Sequence, residues 1–569
     1  MKRVYTYLLV AGFMLSSLQL FAQKRYIDEV YTDADIEVTS NVTYATNIDF
    51  LRSSRLSSAP KQQIGMELTT IKTALAMGQQ IPATHKNLGD TTSVIKVQDI
   101  KMDIYAPKSS VDTNTARPVI IYMHTGNFLP SPINGSPVGT MTDSSAIILC
   151  RGWAKRGYVA ISADYRLGWN PLASGPTGEF ERRGTLLNAV YRSIQDIKQC
   201  VGGLKVEAAG GNMYSIDPNK IVLYGEGTGA YIALAYNSLD KYKEVSLPQF
   251  LNPLTQKSFI DTSVVGRIDG SGIPYSLTLY GPPRANLDIA AVVAAGGALA
   301  DTSWLEAGDK PIIAFQCIRD PFAPFHDGTV IVPTTQEDVV DVTGANVYMS
   351  KANSLGLNDV FKDMGNDPFT TVARNKYGKT FDYIYPSPRD KITVNKSLEG
   401  LFAVDVAAGA SIFQNQAGPW QWWDPNSPLA KYEVQPGVTT HIASLQSNPD
   451  MSPAKGRAYL DTIQGYLCPR LAVTNGYYTT AELSAPSLSE FNGKTYPNPT
   501  TGILYVDLDA KIKISAISVT DISGKTVLTS NDINTSNTTI DLTNLKDGYY
   551  FLHVNTDLGL ATQKVVLAR

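Results

Sequence analysis

The residues Gly225-Glu226-Gly227-Thr228-Gly229 follow the apolar run KIVLY and lead into a helix. A turn this rich in glycine brings a strand sharply into a helix at a point where larger side chains would collide. Its middle residue, Gly227, offers no group for covalent catalysis. Its neighbours Glu226 and Thr228 carry groups that can accept or donate a proton. Other residues capable of chemistry are Asp320, in IRDPFAP after the apolar run PIIAFQC, His124 after VIIYM, His326, and His441 in VTTHIAS. A carboxylate at a strand end also serves as a loop cap, and an isolated histidine also serves as a surface residue. Trp420, Trp422 and Trp423 fall within four residues. Indole packs into cores, and it also builds walls over clefts for apolar or sugar-like ligands.

Cys150, Cys200, Cys317 and Cys468 allow three complete pairings, and the sequence does not choose among them. Buried thiols acting as small hydrophobes are an equal reading. No CxxC and no Cys/His cluster occurs, so no metal and no cofactor is expected.

The elements that must position these residues follow from the apolar pattern. The runs VIIYMH (119–124), YVAISADY (158–165), KIVLYG (220–225), IAAVVAAG (289–296) and PIIAFQC (311–317) read as buried parallel strands. Helical stretches such as SAIILCRGWAKRG and LLNAVYRSIQDIKQCV lie between them, which implies a mostly parallel sheet covered on both faces. The alternating segments IEVTSNVTYATNI and TSVIKVQDIKMDIYAP should form an antiparallel edge. Stretches of about 52–92, 239–287 and 327–430 exceed ordinary connections and read as insertions over the sheet.

With 569 residues the chain has room for a large core and a second, smaller unit. Only 18% of residues are charged and the net charge is −3, with no basic stripe, so nucleic acid is excluded as a partner. Lys2, Arg3 and the apolar run from Leu8 to Phe21, with Ala22 at a cleavage point, read as a signal peptide over 1–22. No later segment is apolar enough to span a bilayer, so the mature protein should have no transmembrane segment. From Thr474 the text turns loop-like, giving a linker over 474–494. Tyr496-Pro497-Asn498-Pro499 then opens a series of short alternating segments separated by Ser523-Gly524-Lys525 and Lys546-Asp547-Gly548, the pattern of a small β-sandwich.

That tail resembles the type A sorting domain of type IX secretion, on YPNP, Gly502, Ile522-Ser523-Gly524-Lys525, Leu545 to Gly548 with Tyr550, and Arg569. The resemblance covers about 495–569 and implies handling by that secretion machinery, then release or attachment at the cell surface. The region 23–473 resembles the carboxylesterase and hormone-sensitive-lipase side of the α/β-hydrolases. The phrases that carry this are MDIYAP, YMHTGNF, ADYRLGW, YRSIQDIK, SIDPNKIVLYGEGTGA and the terminal stretch SPAKGRAYLDTIQGYL. It implies an α/β-hydrolase fold, a mostly parallel sheet with helices on both faces, followed by the all-β sandwich. It also implies that Gly227 stands at the nucleophile position, Asp320 at that of the acid and His441 at that of the histidine. The family's His-Gly-Gly-Gly becomes His124-Thr125-Gly126-Asn127, leaving the N–H groups of Gly126, Asn127 and Thr228 as oxyanion donors. His124, Glu226, Trp420, Trp422 and Trp423 are expected to line a binding cleft. The expected function is non-hydrolytic binding of an extracellular small molecule or partner. The alternative is an active esterase using an atypical nucleophile or an activated water.

Overall fold

The computed structural model describes residues 24–273, 276–332, 337–382, 391–406, 415–483, 488–521, 526–557 and 559–569. The expected signal peptide and the Ser523-Gly524-Lys525 turn lie outside the described residues.

Eight strands form the main sheet: β1 (Ile36–Ile48), β2 (Val97–Pro107), β3 (Arg117–Met123), β4 (Val159–Ala163), β5 (Ile216–Glu226), β6 (Ala291–Ala295), β7 (Ile312–Cys317) and β8 (Leu401–Val404). Their spatial order is β1-β2-β4-β3-β5-β6-β7-β8. The β1–β2 and β2–β4 pairs are antiparallel and the pairs from β4–β3 onward are parallel. This is the α/β-hydrolase arrangement, with the antiparallel edge where the alternating segments placed it.

Residues 117–123 are buried throughout, as expected of a strand covered on both faces. Val119, Ile121 and Met123 join one core while Ile120 and Tyr122 join the other, because successive side chains point to opposite faces. The helices α1 (Gly178–Gly210) and α2 (Thr228–Ser238) cover the first face. The helices Ser144–Lys155 and Pro453–Thr474 cover the second. Tyr26 at the start of the described chain stacks on Tyr477, just beyond the last of these helices, with ring centroids 4.1 Å apart.

One expectation is corrected. The stretch 327–430 is not a pure insertion, because it contains β8, which pairs in parallel with β7 and closes the sheet. With only four residues, LFAV, the strand is too short to leave a pattern. The remainder of that stretch includes a hairpin, Asp327–Ile331 with Asp338–Thr343, that leans over the first face. The stretch 52–92 forms its own small core with Ile48, Leu277 and Leu279.

The tail folds as two antiparallel sheets of three and four strands around one core, with Leu504, Val506 and Ile540 facing Ile517, Val519, Leu552 and Val565. All four cysteines are unbonded and buried. They act as core packing, with burial pushing their thiols up, Cys468 to about 11.

Candidate functional site

The site lies at the carboxyl ends of β3, β5, β6 and β7, the edge where open α/β sheets place ligands. At the end of β5 the chain turns through Gly227, whose φ of 55° and ψ of −115° make it the N-cap of α2. A Cβ on Gly225 would overlap the backbone of Gly229, and one on Gly229 would overlap the carbonyl of Met123. The turn is therefore built on backbone-to-backbone contact. It is pinned by hydrogen bonds from Gly227 N–H to Ala295 O (2.8 Å) and from Gly229 N–H to His124 O (3.2 Å).

The strand-to-helix turn is thus sharp, with no side chain on its central residue. The volume beside it is filled from across the site: a Cβ on Gly227 would fall onto Thr125 Oγ1 and lie 2.8 Å from Thr125 Cβ. Thr125, from the neighbouring loop, therefore occupies the space that a side chain on residue 227 would enter.

That loop keeps a strained path. Gly126, Asn127 and Phe128 all have positive φ, at 128°, 56° and 53°. It is braced by Trp169 Nε1 donating to Asn127 O (2.7 Å) and Gly168 N–H donating to Phe128 O (2.8 Å). Among the described residues no acceptor takes the N–H of Gly126, Asn127 or Thr228, and all three residues line the cavity described below. The Thr228 hydroxyl is engaged with Tyr165 (3.0 Å).

His124 is a brace beneath the loop and does not line the cavity, contrary to expectation. Its Nε2 meets Asp164 Oδ1 at 2.9 Å, its Nδ1 meets Thr125 O at 2.5 Å, and its ring stacks on Tyr165. Burial opposes its charge, but the bond to and charge of Asp164, together with the Thr125 carbonyl, hold its pKa above the ordinary value. Asp143 caps the adjoining loop by accepting from Gly139 N–H (2.7 Å) and Thr140 N–H (3.2 Å), and burial raises it to about 6.

Two buried carboxyl groups face the site, each 1% exposed. Glu226 accepts from Tyr122 (2.6 Å), Ser145 (3.3 Å) and Gln421 (2.6 Å). Asp320 Oδ1 accepts from the N–H groups of Phe322 (2.8 Å) and Ala323 (2.9 Å), and its Oδ2 from Gln316 Nε2 (3.0 Å). Burial raises Asp320 to about 7.

His441 is not brought to Asp320. It sits on the short helix Thr440–Ser444, where its Nδ1 accepts from the Trp423 indole at 3.0 Å. The chain offers five histidines, all among the described residues, and none lines the cavity. His326 is spent on its neighbour Asp327. The three tryptophans divide: Trp420 and Trp423 line the cavity, whereas Trp422 packs against Gly456 of the terminal helix. Thr125, Gln421 and Ala417 also belong to the site and went unnoticed as such. The one sequence signal was threonine at a glycine position of the loop.

The cavity enclosed by these residues measures about 550 Å³, within the usual span for small-molecule sites. Its polar end holds Thr125, Glu226, Asp320, Gln421 and Asn448. Its long apolar end runs between α1, α2 and the hairpin, past Leu187, Val190, Ile194, Leu239, Trp304 and Val342. No lysine, arginine or histidine lines it among the described residues. Nor do the described residues gather three or more His, Cys, Asp or Glu as a metal would require.

Comparison with known proteins adds a destination. Residues 494–568 match the secretion system C-terminal sorting domain, so the chain is directed to secretion or cell-surface attachment through the type IX system. No helix among the described residues is long and apolar enough to cross a membrane. No curated protein matches the chain. Among solved structures, the chain is similar to Thermogutta terrifontis esterase 2 phosphorylated by paraoxon, at 18% identity over 40% of this chain and 69% of that one, with a TM-score of 0.24. The butyrate-bound form of that esterase gives 18% identity, 40% and 70% coverage and a TM-score of 0.23. At those scores the fold assignment rests on the strand order and the elbow, not on the likeness.

Proposed function

We propose that this exported, esterase-like protein binds a small molecule in the cavity without hydrolysing it. Acyl transfer of the serine type needs a nucleophile, a base that takes its proton, and donors for the oxyanion. The donors and a buried acid remain, while the central turn residue is glycine and no histidine borders the cavity. The observation that carries the reading is Thr125 filling the ground of a residue-227 side chain, so that the site is rebuilt around the loss and not merely stripped. A mostly apolar cavity with a few convergent polar groups is the form of a binding site.

A second reading has one specific observation behind it. Thr125 Oγ1 itself places a hydroxyl at the head of the elbow, the location from which a serine would attack. Its weakness is the absence of an imidazole to take the proton.

Purified protein assayed on short and medium acyl p-nitrophenyl esters separates the two. The binding reading expects no turnover above the buffer rate from the wild type, and none from Gly227→Ser, whose new side chain collides with Thr125 and finds no base. Turnover by the wild type that disappears in Thr125→Val would establish the threonine as nucleophile and overturn the binding reading.

A further inference from the structure

We infer that the cavity takes an amphiphilic amine, its ammonium held by Asp320 Oδ2 and the Ala417 carbonyl above Gly296 and its hydrocarbon part lying between α1, α2 and the hairpin. This rests on the binding reading of the same cavity and names the ligand's chemistry.

The argument starts from the space above Gly296. A Cβ placed there would meet nothing nearer than Ala417 O at 3.7 Å, Asp320 Oδ2 at 3.8 Å and Trp420 Cζ2 at 3.9 Å. Two acceptor oxygens and an indole carbon therefore border the space over Gly296 at the polar end of the cavity. Ala417 O takes no hydrogen bond among the described residues, and Asp320 Oδ2 takes only that of Gln316, leaving a lone pair for a donor. Trp420, 1% exposed, contributes a ring carbon to this wall.

Charge selects among donors. Asp320 and Glu226 are both buried at this end, neither forms an ion pair among the described residues, and no basic side chain lines the cavity. A carboxylate guest would add a third acid to this end, with no cationic side chain to offset it among the described residues. An ammonium instead supplies the missing counter-charge. Glu226 and Asp320 each accept three hydrogen bonds, and it is Asp320 Oδ2 that faces the space above Gly296, which makes it the contact. The opposite end of the cavity, walled by Leu187, Val190, Ile194, Leu239 and Val342, is mostly apolar and suits hydrocarbon.

The test titrates the full chain with octylammonium, octan-1-ol and octanoate at pH 8.5, by calorimetry and by shift in melting temperature. The amine stays protonated there, as lysine does. Octylammonium should bind at least tenfold more tightly than octanol, and octanoate should show no binding. Asp320→Asn should bring octylammonium to within threefold of octanol while leaving octanol unchanged. Gly296→Ala, which puts a methyl into the converging space on a backbone held at φ 74°, should cause the same selective loss, with its melting temperature checked first. Octanoate binding as tightly as octylammonium, or octylammonium binding undiminished in both variants, would overturn the inference. Either result without ester turnover leaves the binding reading standing, whereas turnover by the wild type defeats that reading whatever the amine does.

Discussion

The turn after β5 and the loop that follows β8 both lie at the carboxyl edge of the sheet, and they are held differently. The turn keeps a sharp backbone geometry around a central glycine. The loop between β8 and the helix Pro453–Thr474 presents glutamine, tryptophan and asparagine to the cavity, with its histidine turned to Trp423. The difference has a physical cause. Gly225 and Gly229 are fixed by contact with neighbouring backbone, so folding itself preserves them. The histidine of the loop is held instead by one side-chain bond, from the Trp423 indole, so a change of side chain suffices to turn it.

The comparison can be broken most forcefully at Gly229. A methyl group there runs into the Met123 carbonyl and lies 2.9 Å from Met123 Cβ. Gly229→Ala should cost about 4 kcal/mol or prevent folding, as severe backbone overlap in a core does; denaturant unfolding measures it. A cost under about 1 kcal/mol would mean that the turn is not held by contact.

Asp320 tests the chemical side. Its folded pKa is raised to about 7, so the native state holds a proton that the unfolded chain, near its ordinary value of about 3.9, releases. Stability is therefore greatest below the unfolded value and is lost as pH rises toward 7, after which this contribution levels off. The full difference is about 4 kcal/mol as an upper bound. Asp320→Asn should flatten that slope and be the more stable form at pH 8. The Gln316 amide can turn its unpaired Oε1 toward the new Nδ2. Unfolding free energies at pH 5 and 8 for both proteins decide it, and parallel curves would refute it.

The smallest effect is the most specific. Gly227→Ala should destabilise by about 2 kcal/mol, because its methyl meets Thr125 and its φ is positive. In a Thr125→Gly background the steric part should vanish, giving a coupling of about 1 kcal/mol in the double-mutant cycle. Additive effects would show that the two positions do not share one space.

Much of the frame was legible because it is written in long apolar runs and in glycines that only a tight turn requires. KIVLYGEGTG announces both the strand and the elbow. LFAV does not announce β8, since four residues carry no period, and its neighbours obscured the register of the following loop. Asp320 sits beside an unmistakable strand and its surroundings could be anticipated. His441 could not be assigned correctly, because the path of some 45 residues decides which side chain reaches the cavity, and that path is set by Trp422 against Gly456 and by Trp423 against His441. Thr125 was visible as an oddity. Its meaning needed the third dimension, since the residue whose place it takes lies on another strand.

The stack of Tyr26 on Tyr477 bears on biosynthesis. The first described turn of the chain meets most of its partners within residues 112–158, through Arg25 on Asp112 and Tyr26 against Tyr158. Its stack on Tyr477 is added only after nearly the whole hydrolase-like region has been made, roughly half a minute after the turn itself at ordinary rates of synthesis. The leading segment is thus seated first and sealed last.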